Sequence, residues 1–219
     1  MKRFQNRVEA GKLLAKQLKK YANRSDVVVL ALPRGGVPVG FEVAKALHAP
    51  LDVLIVRKLG VPEQEELAMG AIASGGVRVM NEDVFPFLSL SAEEVEKIIL
   101  QEQKELERRE KLYRGDRPAP EIGGKTVILV DDGIATGSSM RSAVEALKRQ
   151  NPAKMVIAVP VAARSTCEEF DRPAIGEVCV CSQTPEPFMA VGLWYEDFAQ
   201  TSDIEVRDLL AARKHEPTA

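Results

Sequence analysis

The stretch Val127-Ile128-Leu129-Val130-Asp131-Asp132-Gly133-Ile134-Ala135-Thr136-Gly137-Ser138-Ser139 decides the fold. Its apolar opening is rich in β-branched residues and lacks alternation, as in strands buried on both faces of a parallel sheet. Two adjacent carboxylates stand at the end of that strand, and a Thr-Gly-Ser-Ser turn then opens a helix running from about Ser138 to Gln150. Those parts suit a sugar phosphate. Carboxylates accept paired hydrogen bonds from a diol, while backbone N–H groups, the helix dipole and hydroxyls hold a phosphate dianion. Gly137 lets the backbone approach the phosphate closely. Taken singly, acids that end strands and a serine that caps a helix are commonplace; it is their spacing that combines them.

Working outward, Val27 to Leu32 is a second buried strand, halted by Pro33-Arg34-Gly35-Gly36. A helix from Val39 to Leu47 and a strand from Asp52 to Val56, closed by Arg57-Lys58, complete a βαβ unit. Arg7 to Tyr21 has the period of an amphipathic opening helix. Gly60 to Glu66 reads as a polar loop, and Ala68 to Met80 as a hairpin turning at Ser74-Gly75-Gly76. Ser91-Ala92-Glu93-Glu94 is a capping box for a helix reaching about Tyr113, whose charged face carries i,i+4 pairs such as Glu105 with Arg109 and reads as solvated. Further strands are read at Met155 to Val159 and Glu177 to Val180. The alternation predicts an α/β fold, a doubly wound parallel sheet with flanking helices whose site lies at the strand carboxyl ends.

The segment Asp131 to Gly137 resembles the phosphoribosyl diphosphate (PRPP) motif of type I phosphoribosyltransferases: an apolar strand, two acids, two to three variable residues and a Thr-Gly turn. The resemblance extends to Pro33-Arg34-Gly35-Gly36, similar to the family's pyrophosphate loop, to Val56-Arg57-Lys58, and to Trp194-Tyr195-Glu196-Asp197-Phe198. It covers nearly the full length and is to the bacterial stand-alone group of these proteins. It implies one domain over residues 1–219, with a core of about 1–182 and a small hood of about 183–205 joined by the amino-terminal helix. A flexible lid is implied at Leu59 to Glu66, ahead of the hairpin, closing to exclude water from the reacting carbon.

The implied reaction is Mg2+-dependent transfer of the 5-phosphoribosyl group to a nitrogenous acceptor, with loss of pyrophosphate and inversion at the anomeric carbon. Ala135, Thr136, Gly137, Ser138 and Ser139 would hold the 5-phosphate. Arg34, Gly35, Gly36, Arg57 and Lys58 would surround the pyrophosphate, and Asp131 and Asp132 the ribose. Magnesium would ride mainly on PRPP and water near those acids. Position 135 is alanine where members using 6-oxopurines carry an aspartate, so a general acid or base falls to the lid, at Glu63, Glu65 or Glu66, with Glu65 carried forward. Phe188, Trp194 and Tyr195 are the candidates for stacking on the acceptor base.

Composition narrows the partners. In 219 residues with 45% hydrophobic and 28% charged side chains there is enough apolar material for a full core, and a net charge of −2 offers no general field for nucleic acid. A local patch at Lys12, Lys16, Lys19 and Lys20 is the one basic exception. Apolar runs fall short of a membrane span and no secretory h-region follows Met1, so a cytoplasmic protein with small-molecule substrates is expected. Cys167, Cys179 and Cys181 read as ordinary reduced thiols, and neither His48 nor His215 as a ligand. A homodimer is common among the relatives. The rival reading is a regulator that keeps the fold and senses PRPP or a nucleotide. A receiver domain is discounted because the acid pair comes late in the chain, and Rossmann and Walker fingerprints are missing.

Overall fold

A computed structural model describes residues 2–62, 64–171 and 177–213. These divide into two compact units. The first comprises Met1–Val53, Pro120–Gly137 and Asn151–Ala219, and the second Leu54–Ala119 and Ser138–Gln150.

The first unit is built on a five-stranded, all-parallel sheet of β1 (Val27–Ala31), β2 (Leu51–Val53), β6 (Thr126–Val130), β7 (Lys154–Val161) and β8 (Glu177–Gln183), in the order β2-β1-β6-β7-β8. Every residue of β1 and β6 is buried, as their unbroken apolar runs predict. Register is fixed by Val28 opposite Val127 and Ile128 opposite Val156. Helices α1 (Arg7–Gln17), α2 (Gly36–Leu47), α5 (Arg164–Phe170) and α6 (Asp203–Ala212) flank the sheet. The chain runs outward from β1 to β2 in one direction and from β6 to β8 in the other. The carboxyl ends of β1 and β6 therefore meet at the topological switch point, where such sheets hold ligands.

The second unit is an antiparallel sheet of β3 (Val56–Val61), β4 (Gln64–Ala73) and β5 (Val77–Met80), packed against α3 (Ala92–Arg114) and α4 (Ser138–Lys148). The hairpin turns at Gly75 and Gly76, with φ of 85° and 73° that only glycine adopts without strain. Ser91 and Glu94 form the expected capping box, and Glu105 pairs with Arg109 at 2.7 Å. Among the described residues no helix is long and apolar enough to cross a membrane.

Three expectations change. The strand expected from Asp52 to Val56 is two elements, because β2 ends at Val53 and β3 begins at Val56. The joint falls in the uninterrupted apolar run Val53 to Val56, so periodicity carries no mark of the break. Arg57 and Lys58 thus sit inside β3 rather than closing a parallel strand, and most of the expected lid is the β3–β4 hairpin. Helix α2 starts at Gly36, three residues earlier than expected, because glycine and proline are tolerated in a first turn that needs no N–H partners. Finally, α5 and α6 were not anticipated from periodicity.

Gly40 lies in α2 where an added Cβ would stand 2.9 Å from the Ala31 Cβ on β1. Gly40→Val forces the helix off the sheet and costs about 1–3 kcal/mol, the range for overpacking a tight core. The expected outcome is a lower midpoint in thermal or urea unfolding with an unchanged far-ultraviolet circular dichroism spectrum.

Candidate active site

The two loops that leave β1 and β6 are packed directly on each other within the first unit. A Cβ at Gly35 would fall 2.0 Å from Asp132 Oδ2, and one at Gly36 would fall 2.8 Å from the Val130 carbonyl oxygen and 3.1 Å from Asp131 Oδ1. No larger residue fits at either position while the acids keep their places. The Leu32 N–H donates to the Val130 carbonyl at 2.8 Å, which aligns the start of one loop with the end of the other strand. The Pro33–Arg34 peptide is cis. Arg34 is partly exposed and lies 3.9 Å from Asp203 at the start of α6. One expectation is refined here. The Gly36 amide donates to the Leu32 carbonyl at 3.1 Å, so that N–H is engaged within the fold, and Gly36 is required for close packing as well.

Asp131 and Asp132 are held by different means. Asp131 Oδ1 accepts the Asp132 N–H at 2.8 Å. Asp132 Oδ2 accepts from Arg7 Nε at 2.8 Å, and its carbonyl accepts from the Tyr195 hydroxyl. Burial and the neighbouring Asp132 charge push the Asp131 pKa well above the usual carboxylate range. Burial also raises Asp132, against the opposing pull of Arg7.

Beyond the acids, Gly133 is covered by Val191, whose methyl would touch any added Cβ at 2.5 Å. Ile134 N–H donates to the Val161 carbonyl at 2.9 Å, and Thr166 Oγ1 to the Ala135 carbonyl at 3.3 Å, tying this loop to β7 and α5. Ala135 and Thr136 are exposed, and Gly137 turns at φ 77°, the left-handed region expected of a glycine here. Ser138 and Ser139 follow as the first residues of α4.

The aromatic segment is a wall of this site rather than a strand. Phe4 bridges Tyr195 in parallel, with Phe4 N–H on the Trp194 carbonyl at 2.9 Å and Glu196 N–H on the Phe4 carbonyl at 2.8 Å. Phe4, Ala10, Val161 and Tyr195 form a buried cluster against which Phe188, Val191, Trp194 and Phe198 pack. Tyr195 is therefore not a base-stacking residue. It is 3% exposed, its ring lies 5.4 Å from Phe4 and 5.0 Å from Phe198, and its hydroxyl is spent on Asp132. Phe188 and Trp194 stay partly exposed, and Trp194 Nε1 is buried with no partner.

Arg57 and Lys58 belong to the second unit. Arg57 pairs with Glu102 of α3 at 2.6 Å, so its charge is neutralised locally, while Lys58 is exposed. Glu63 and His215 lie outside the described residues, as do the side chains of Glu65 and Glu66. His48 caps α2 in the left-handed conformation, at φ 53°.

Sequence reading gives no individual role to Arg7, Gly133 or Phe198. A signal for Arg7 existed: it is a cation in the first turn of a helix, where the dipole disfavours positive charge unless an anion lies opposite.

A carboxyl group whose folded pKa is raised stabilises the fold below its unfolded pKa, and that contribution is lost as pH rises through the folded value. Asp131→Asn keeps the Oδ1 acceptor and removes the buried charge. It is expected to melt above the parent at pH 8, with the gain shrinking as the pH is lowered toward 4; thermal melts across that range check it.

The phosphoribosyl transferase domain model matches residues 2–181. Two Mycobacterium tuberculosis proteins, "Putative phosphoribosyl transferase MT0597" of strain CDC 1551 / Oshkosh and "Putative phosphoribosyl transferase Rv0571c" of strain ATCC 25618 / H37Rv, are each 46% identical over 206 residues. That match covers 94% of this chain and 46% of theirs, so the chain spans about half the length of the curated relatives it matches. TT1426 from Thermus thermophilus superposes with a TM-score of 0.83 at 37% identity, covering 96% of this chain and 98% of that one. AQ2163 from Aquifex aeolicus shares the fold at a TM-score of 0.51 and 14% identity, over 94% and 85% of the two chains. With two acids closing β6, a glycine loop laid against them from β1 and a family match over most of its length, this chain belongs to the phosphoribosyl transferase family.

Proposed function

We propose that the chain transfers the 5-phosphoribosyl group of PRPP to a ring nitrogen of a nucleobase-like acceptor, releasing pyrophosphate. The observation that carries this reading is the contact of Gly35 and Gly36 with Asp132 and Asp131 at the switch point. That contact supports the reading because it brings the glycine loop after β1 against the two acids after β6, the pair of groups a sugar diphosphate would need.

Asp131 and Asp132 read the ribose hydroxyls and stabilise the carbocation-like sugar as the bond from the anomeric carbon to the diphosphate oxygen breaks. Preorganisation favours this role, because the acids are fixed by Arg7, Tyr195 and the Asp132 amide before any substrate arrives. Arg34, partly exposed beside Gly35, is assigned to the departing diphosphate. The open turn at Ala135, Thr136 and Gly137, with Ser138 and Ser139 after it, takes the 5-phosphate. Two carboxylates offer hard oxygen donors but no full cage, which suits a magnesium ion carried on the diphosphate with much of its water shell. Asp131 and Asp132 would hold that ion or its waters, and it would supply charge neutralisation for the leaving diphosphate. Alanine at 135 disfavours a 6-oxopurine acceptor, and Phe188 and Trp194 are the partly exposed aromatics left for a planar one. Glu65 is assigned the acceptor's proton.

Incubation of the full chain with PRPP, Mg2+ and a nucleobase panel is expected to release pyrophosphate and a nucleotide. Gly35→Ala, whose methyl displaces the Asp132 carboxylate, is expected to lose about 100-fold or more of that activity. PRPP-dependent thermal stabilisation without any product would replace transfer by sensing. Neither product nor stabilisation would overturn the reading.

A further inference from the structure

Arg7 sits at the first position of α1, after the Asn6 cap, where four orphan N–H groups already concentrate positive potential. An arginine there is costly unless an anion faces it, and its side chain is nonetheless only 12% exposed. Three contacts hold its guanidinium. Nε donates to Asp132 Oδ2 at 2.8 Å, Nη1 donates to the Ala199 carbonyl at 2.7 Å, and Cζ lies 3.9 Å from the centre of the Phe198 ring. Residues 195–199 thus grip the guanidinium on two sides, while Tyr195 holds the main chain of Asp132 through its hydroxyl.

We propose that Arg7 is a positioning residue that sets the Asp132 carboxylate for ribose and couples it to the hood segment 195–199. The inference rests on the PRPP reading above and deepens it. Through Nε, Arg7 occupies one oxygen of Asp132 and fixes the rotation of the carboxylate, so that Oδ1 is offered to the sugar hydroxyls. The groups facing that carboxylate are Arg7, Asp131 and Tyr195. Of these, Arg7 is the cation, and it offsets the repulsion between two buried acids. Lysine is a poor substitute, since one ammonium cannot reproduce the planar fork that engages a carboxylate, a carbonyl and a ring face together.

Because Arg7 acts only through Asp132, its loss weakens PRPP binding and slows turnover to the extent that the Asp132 carboxylate is misplaced. The test is calorimetric titration of PRPP with Mg2+ into the parent, Arg7→Ala, Arg7→Lys, Asp132→Asn and the Arg7→Ala/Asp132→Asn double variant, alongside steady-state kinetics. Arg7→Ala is expected to bind PRPP about 10- to 100-fold more weakly, the range for a hydrogen bond to a charged group. Its kcat should fall no further than that of Asp132→Asn, and Arg7→Lys should recover only part of the affinity. In the Asp132→Asn background Arg7→Ala should have no further effect, which a merely structural role would not produce.

Parent-like affinity in Arg7→Ala, or an equal loss in the Asp132→Asn background, would overturn the proposal. So would a kcat lower in Arg7→Ala than in Asp132→Asn. If Arg7→Ala does not fold, Arg7→Lys alone and on Asp132→Asn makes the same comparison. A parent that does not bind PRPP would instead overturn the reading on which the proposal stands.

Discussion

One contact organises this molecule: the Asp132 carboxylate occupies the volume that a side chain at position 35 would fill. It exists because β1 and β6 are neighbours in register at the middle of a parallel sheet, so the loops that leave them emerge together. Residues 35 and 36 must then be glycine. The second acid is pressed between the loop from β1 and the arginine from α1, and Val191, packed on the aromatic wall, closes over Gly133. Moving any one of these elements displaces the carboxylates, the groups on which the proposed chemistry depends.

The arrangement stores electrostatic stress. Two adjacent carboxylates are partly buried at the end of a strand whose residues are entirely enclosed, and that desolvation drives both toward the protonated form. A hydrogen bond from the Asp132 amide and an ion pair with Arg7 offset part of that cost. The remainder is tolerated because the apolar sheet beneath supplies the stability of the unit. This is the usual relation between a preorganised site and its scaffold: charges held ready for a ligand weaken the fold that holds them.

How much of the molecule is legible in its sequence depends on how local each signal is. The buried strands, the acid pair, Gly137 and the Ser91 capping box announce themselves within a few residues, and each is found where it was read. The boundary between β2 and β3 is invisible because it falls inside the apolar run Val53 to Val56, with no breaker at the joint. The contact of Arg7 with Asp132 bridges 125 positions of chain and leaves only the oddity of a cation in a helix's first turn. Tyr195 shows the opposite error: an aromatic in a promising motif was read as facing a ligand, whereas burial between Phe4 and Phe198 makes it a strut. Arg57 likewise reads as a free cation until Glu102 of α3 is seen opposite it.

The account turns on where PRPP binds, and a crystal structure of the full chain with PRPP and Mg2+ measures that directly. The ribose hydroxyls are expected on Asp131 and Asp132, the diphosphate beside Arg34 and Gly35, and the 5-phosphate at the turn of Thr136 and Gly137, with the bond between Arg7 and Asp132 retained. PRPP seated away from the acid pair, or ribose hydroxyls bound by other side chains while Asp131 and Asp132 stay buried and unused, would contradict it.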